Sequence, residues 1–372
     1  MANEMLAIVL AGGKGTRLEA LTMKTSKPAV HFGGKYRIID FVLSSLANSG
    51  VTDVGVVTQY ESVELSNYCS KGKHWGFDGN NSEFSILGPR QKADGSHWYA
   101  GTGDAVYQNL DYMDSIDPEY VLILSADHIY KMNYAKMLAF TKSVDAECTI
   151  ACLTCDEKDV SRFGILTLDD TKRVTSFVEK PKFSESRNAS MGVYIFKYSS
   201  LRDALVLDAN NPSSSHDFGK DIIPYFLNND KGVYGYPFDG YWKDVGTLSS
   251  LWEANMELID DEKALDLYNN MSSFKIYTED TKSLPQYIGP NARVTNSIIN
   301  QGSIIFGEVN HSVLFTGAHI GEDSKIEDSV IMPGAIIGKN VHLKNVIVAN
   351  NVVIEDGREV IGQVNDIKLI TK

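Results

Sequence analysis

The chain has no surplus of positive charge, few cysteines and no long apolar run. Its 35 Lys and Arg are outnumbered by 48 Asp and Glu, giving a formal charge of -13 over 372 residues. That balance excludes the basic face that general binding to nucleic acid or an anionic membrane would need. It does not exclude a polyanionic substrate, because backbone amides, a few cations or a metal ion can offset charge locally. No stretch reaches the roughly 18 unbroken apolar residues of a membrane span, so no membrane partner is expected. The opening "MANEMLAIVLAGG" has no basic n-region, and its short apolar run flows straight into a glycine loop. It does not read as a secretory signal, and a cytoplasmic location is expected.

Only Cys69, Cys148, Cys152 and Cys155 are present, three of them in "ECTIACLTC". On a strand, Cys148 and Cys152 share one face while Cys155 points to the other, so the three cannot converge on one ion without a bulge. A fourth ligand is also missing. They read as core thiols in a reducing compartment.

What is present falls into two rhythms. Up to about residue 258, continuous apolar runs at 5–11, 53–59, 119–126 and 147–154 read as strands covered on both faces. Helix-like stretches at 39–50 and 134–144 lie between them, with Gly50 as a C-cap. The alternation predicts an α/β domain with a mainly parallel sheet, whose ligands bind past the carboxyl ends of the strands. Residues 259–285 are polar, with weak helix at the start and a proline at the end, and read as a connector.

From 286 to 372 short repeats take over: "IGPNAR", "IGEDSK", "IGKNVH". Aliphatic residues recur six apart in the pairs Ile288/Val294, Ile320/Ile326, Ile337/Leu343 and Val348/Ile354. That period predicts a parallel β-helix with interrupted coils. A solenoid end leaves a stackable edge, which makes this domain the expected oligomer contact.

The stretch "LAGGKGTRLEALTMKTSKPAV" (10–30) raises the question of chemistry. A Walker A loop needs lysine after its last glycine, but Lys14 precedes Gly15. A dinucleotide fingerprint needs a third glycine where Leu18 stands. What remains is a strand-ending loop, Leu10–Ala11–Gly12–Gly13 through Gly15–Thr16, whose amides can face a nucleotide. Arg17 follows as a bidentate phosphate grip. Lys27 adds a point charge from the other side, with Pro28 fixing the local backbone. Asp127 comes just past the apolar run ending at Leu124, at the expected strand tip. With no basic partner near it in sequence, it suits a hard cation such as Mg²⁺.

These residues resemble the bacterial glucose-1-phosphate adenylyltransferases, within the sugar-phosphate nucleotidyltransferases. The likeness runs from "AGGKGTRLEALTMKTSKPAVHFGGKYRIIDFVLSSLANSG" through "WYAGTGDAVYQN", "LSADHIYKMNY", "RFGI", "VEKP", "ASMGVYIF", "HDFGKDIIP" and "GYWKDVGT". It implies a Rossmann-like nucleotidyltransferase domain (1–258), the connector and a left-handed β-helix (286–372). It implies ATP and glucose 1-phosphate as substrates, ADP-glucose and diphosphate as products, and a homotetramer or a heterotetramer with a related subunit. The sugar phosphate attacks the α-phosphorus in line. Its oxygen is already deprotonated at neutral pH, so the work is positioning and charge neutralisation.

By the same resemblance Asp244 joins Asp127 on Mg²⁺, and Arg17, Lys27, Asp127, Lys180 and Asp244 form the catalytic set. Lys180 neutralises the sugar phosphate, and Glu179 accepts from sugar hydroxyls. Ser190, Tyr194, Asp217, Phe218 and Trp242 line the sugar pocket, while Gln59, Tyr99 and Gly101 lie on the nucleotide side. Lys24, His31 and Arg37 match effector-binding positions, with Thr25 where a basic residue is common. Three further departures stand out: Ala100 for a basic residue, Ala126 for a glycine and Asn133 for an aspartate. The methyl of Ala126 is expected beside the metal ligand, where it could crowd it. The rival readings are a non-catalytic regulatory subunit, a nucleotidyltransferase using UTP or dTTP, and a hexapeptide acyltransferase. The first is disfavoured by the intact set of charged residues, the last by the size of the nucleotide-type domain.

Overall fold

The computed structural model describes residues 4–13, 15–92, 95–96, 98–261, 265–267 and 274–371. Lys14 and parts of the connector (262–264 and 268–273) lie outside the described residues.

The central sheet is built from β1 (Met5–Leu10), β2 (Asp53–Val57), β3 (Glu83–Leu87), β4 (Tyr120–Ser125), β5 (Cys148–Thr154), β6 (Gly164–Leu168), β7 (Val174–Glu179), β8 (Asn188–Lys197) and β9 (Val233–Pro237). Their order is β7-β6-β8-β4-β1-β2-β3, with β5 between β8 and β9. The block β4-β1-β2-β3 is parallel throughout, and β5 runs parallel to β9. The long β8 runs antiparallel to β4, β5 and β6, joining the two parts.

The apolar runs follow from burial on both faces. Met5, Ala7 and Val9 of β1 enter one core with Leu122 and Leu124 of β4. Leu6 and Ile8 enter the opposite core with Val121 and Ile123. Helix α1 (Ile38–Asn48) starts where the Arg37 amide donates to Asp40 at 2.8 Å. It ends at Gly50, whose φ of 74° lets Val51 N–H reach back to Leu46 O at 3.2 Å. Helix α2 (Tyr134–Ser143) is capped by Asn133, which accepts from Lys136 N–H at 3.3 Å. The asparagine thus does the capping work of the usual aspartate. All four cysteines are free and buried; Cys148 and Cys152 join one core and Cys155 a separate small cluster.

The repeats form three five-stranded parallel sheets, the arrangement of a left-handed β-helix. Each paired residue stacks on its counterpart one coil away. Ile288, Ile305, Ile320, Ile337 and Ile354 make one ladder. Val294, Val309, Ile326, Leu343 and Val360 make the second. The third sheet is buried on its outer side too: Val313, Val330 and Ile347 pack with Phe32, Phe41 and Trp252 of the catalytic region. Trp252 Nε1 donates to Asp328 O at 2.7 Å across the same contact.

Candidate active site

A cleft of about 790 Å³ opens past the carboxyl ends of β1 and β4. Leu10, Ala11, Gly12, Gly13, Gly15, Thr16 and Arg17 line one side of it. Gly15 holds φ 61°, and a Cβ there would stand 3.0 Å from Lys27 Cβ, so only glycine lets the loop close on that lysine. Gln59, Tyr99 and Gly101 line the same cleft, as do Glu179, Lys180, Tyr194, Asp217 and Phe218.

The charged centre gathers residues far apart in the chain. Asp127 follows β4, and Asp244 ends the short strand Trp242–Asp244, which pairs antiparallel with His128–Tyr130. That register sets Asp244 directly opposite His128. Lys27 Nζ lies 2.8 Å from Asp127 Oδ2 and 3.1 Å from Asp244 Oδ1, with its side chain buried. The basic partner that Asp127 lacks nearby in sequence is supplied by Lys27, 100 residues away. His128 Nε2 is also 3.4 Å away, and Ser125 Oγ donates to Asp127 Oδ1. Arg162 Nη2 reaches Asp244 Oδ2 at 3.5 Å. Gly246 leaves the space they share: a Cβ there would meet Asp244 Oδ1 at 2.9 Å, Arg17 Nη2 at 3.0 Å and Lys27 Nζ at 3.2 Å.

Burial alone would push both carboxyls up. At Asp127 the pull of His128 and Lys27 outweighs it and holds the carboxyl well below the usual range. Asp244 is lowered in the same way, by Lys27 and then His128 against burial and the repulsion of Asp127. Oxygens of the two aspartates and a ring nitrogen of His128 lie within 4.8 Å of one another. Two ionised carboxylates so close together are a donor set that fits a divalent cation.

Opposite lies a pocket with apolar and polar faces. Tyr194 stacks on Phe218 at 5.8 Å, and burial raises its hydroxyl pKa. Glu179 pairs with Lys180 at 2.8 Å. A Cβ on Gly219 would come within 2.6 Å of the Glu179 carboxylate, so that glycine makes its seat.

The structure does not bring every expected residue to the surface of this cleft. Ser190, Trp242 and Asp244 are not among the residues that line it: Ser190 lies 3.4 Å from Tyr194 OH, Trp242 packs on His128 and Phe163, and Asp244 reaches the centre through Lys27. Ala126 is fully buried in the apolar core, so its methyl does not crowd the cleft. Ala100 does line it. Lys24 is exposed, whereas His31 and Arg37 face each other across a two-stranded turn. Burial, then Arg37, lowers His31 to about 3. Arg37 is already occupied by Glu64 at 2.6 Å, Ala29 O at 3.0 Å and the ring of Tyr68 at 4.4 Å.

Sequence reasoning passed over Ser125, His128, Arg162, Thr102 and Gly246. His128 had a signal: it sits beside Asp127 at a strand start. Ser125 had one as well, two residues before Asp127, whereas Arg162, Thr102 and Gly246 become visible only through chain crossings.

Comparison with known proteins agrees with this geometry. A family profile described as nucleotidyl transferase matches residues 6–261, and one described as GlmU-like, C-terminal hexapeptide matches 281–367. The glucose-1-phosphate adenylyltransferase of Bacillus mycoides (strain KBAB4) is 50% identical over 355 residues, 95% of this chain and 94% of the relative. That of Bacillus cytotoxicus is 49% identical over 369 residues, 99% of this chain and 98% of the relative. By fold, by the residues gathered at its cleft and by likeness along nearly its whole length, the chain belongs to the nucleotidyltransferase family and, within it, to the glucose-1-phosphate adenylyltransferases.

Proposed function

We propose that this chain joins ATP and α-D-glucose 1-phosphate into ADP-glucose and diphosphate, for glycogen or other α-glucan synthesis. The observation that carries this reading is the meeting of Lys27, Asp127 and Asp244 between a glycine-loop wall and a wall bearing Glu179, Lys180, Tyr194 and Asp217. One cleft thus offers a phosphate grip, a cation centre and a hexose-like pocket side by side.

The amides of Gly12–Gly15 and the guanidinium of Arg17 hold the nucleotide phosphates. Lys180 neutralises the phosphate of the sugar, and Glu179 and Asp217 accept from its hydroxyls, with Tyr194 and Phe218 against its apolar face. Asp127 and Asp244 would hold Mg²⁺, which supplies charge neutralisation at the α-phosphate. Lys27, freed from the carboxylates, would turn its charge to the reacting phosphate. The attacking oxygen needs no base, so every one of these residues serves position or charge.

In the division of labour we propose, residues 1–258 carry the reaction, 259–285 connect, and 286–372 support assembly into a tetramer, of one subunit type or with a related one. An outward ladder supports the last point: Tyr287, Ile304, Ile336 and Val353 stay at least 40% exposed on one sheet of the β-helix. Four free buried thiols support a reducing, cytoplasmic setting. No helix among the described residues is long and apolar enough to cross a membrane. Effector control through Lys24, His31 and Arg37 is a lesser proposal, since Glu64 already neutralises Arg37. Titration of activity with fructose 1,6-bisphosphate should change the rate if it holds.

The deciding experiment measures diphosphate release with Mg²⁺ across nucleoside triphosphates and sugar 1-phosphates. Turnover should be fastest with ATP and glucose 1-phosphate. Turnover only with UTP or dTTP would reassign the nucleotide. No turnover with any pair, together with stimulation of a sister subunit, would make the chain regulatory.

A further inference from the structure

The two walls of the cleft are joined by one side chain that carries no expected role. Residues 99–101 lead into a short helix beginning at Thr102, and Gly101 and Gly103 lie close against the backbone of Ser215 and His216. Gly103 N–H donates to His216 O at 2.7 Å, and a Cβ on Gly101 would come within 2.3 Å of that same oxygen. His216 is held at φ 55°, with Nδ1 2.8 Å from Asp208. Beside this contact the Thr102 hydroxyl donates to Asp217 Oδ2 at 3.0 Å and accepts from Phe218 N–H at 3.0 Å. The other carboxylate oxygen, Oδ1, accepts from the amides of Gly219 at 3.0 Å and Lys220 at 3.2 Å.

The Asp217 carboxylate is thus fixed through both oxygens, and among the described residues only Thr102 ties it to the opposite wall. Without that hydroxyl the carboxylate would keep its two amide donors and lose its own link to the segment that follows Gly101, while the backbone contact at His216 stayed. We propose that Thr102 is a positioning residue that locks Asp217 and Phe218 to that loop, so that sugar recognition depends on how the nucleotide seats. This rests on the reading of the cleft given above, with the nucleotide at Tyr99–Gly101 and the sugar at Asp217. A ligand pressed on the loop fixes Thr102, and a fixed Thr102 aims the carboxylate. The coupling works in both directions, as linkage between two sites requires.

The test is Thr102→Val, which keeps the size and removes the hydroxyl, beside Thr102→Ser, which keeps it. Losing one hydrogen bond to a charged group should raise the KM for glucose 1-phosphate about tenfold. The KM for ATP and kcat should change far less, and the serine variant should restore the wild-type KM. In calorimetry, saturating α,β-methylene-ATP should tighten glucose 1-phosphate binding in the wild type and do so less in the valine variant. An unchanged KM, an equal loss in all parameters, absence of that coupling in the wild type, or failure of serine to restore would each overturn the inference. Amide exchange separates this from the assignment of substrates. The Phe218 amide should exchange faster in Thr102→Val whatever the substrates are, and unchanged exchange would overturn the lock. If the wild type failed to turn over ATP and glucose 1-phosphate, the proposed function would fall while the exchange result still judged Thr102.

Discussion

The catalytic region and the β-helix use strands in opposite ways. In the first, parallel strands end together and release the chain into unlike loops, so Gly15, Gln59 and Asp127 meet at one end although they stand far apart in sequence. In the second, each coil repeats the one before it, and inward positions such as Ile320, Ile337 and Ile354 face the same neighbours. Repetition gives a continuous core but singles out no side chain for chemistry. Irregularity after the strand ends does the reverse. It places a buried lysine between two carboxylates, an arrangement that adds little to stability once desolvation is counted.

Substitutions should separate the two regions cleanly. Asp127→Asn should lower kcat by about a thousandfold with little loss of stability, because it removes one of the two carboxylates proposed to hold Mg²⁺ at the reacting phosphate. Steady-state diphosphate release checks this, and a kcat within tenfold of wild type would contradict the assigned role. Ile326→Ala should do the opposite. It empties a fully buried ladder position and should cost about 3 kcal/mol of stability. Thermal melts should show the loss, with kcat of the folded fraction retained.

A third change probes the junction. Asp40 is buried in the first turn of α1, with its carboxylate accepting from Tyr68 OH at 2.6 Å. Burial raises it to about 7, against the opposing pull of the Arg37 amide, Tyr68, Thr278 and the Arg37 charge. A raised carboxyl holds its proton longer in the folded state, so stability from this group falls as pH rises from about 4 to about 7 and is flat above. Asp40→Asn should flatten that slope by about 1–3 kcal/mol across the window, read by denaturant melts at stepped pH. An unchanged slope would mean that Asp40 does not titrate there.

Lys180→Ala should raise the KM for glucose 1-phosphate about tenfold, with kcat falling less. An unchanged KM would remove Lys180 from the sugar-phosphate role. The smallest effect on the fold is expected from Ile336→Asp on the exposed ladder, within about 0.5 kcal/mol of wild type. Light scattering should nonetheless show smaller assemblies, and an unchanged mass would place the contact elsewhere.

Much of the architecture was legible because local physics repeats. Strands covered on both faces must be apolar throughout, so β1 and β4 announced themselves at 5–11 and 119–126. Six-residue spacing marked the coils because each face of a coil must turn an aliphatic inward, to stack on its counterpart one coil away. The glycine loop was legible because its spacing excluded two other phosphate motifs. Three features were not. The antiparallel β8 looks in sequence like any apolar strand, since alternation carries no direction. Trp242 was expected in the pocket wall, but it does not line the cleft and its ring packs on His128. The partnership of Lys27 with Asp127 and Asp244 spans 100 and 217 residues, distances at which no local pattern speaks.

The sequence by itself determined that there are two regions, which runs are buried, and that a phosphate loop ends the first strand. Those follow from residue type and period. Only the tertiary structure decided which charges neutralise one another, that Arg37 is already paired, and that Thr102 bridges the walls. Such contacts depend on approach to hydrogen-bond distance between segments brought together by chain crossing, and that information resides in the packed fold.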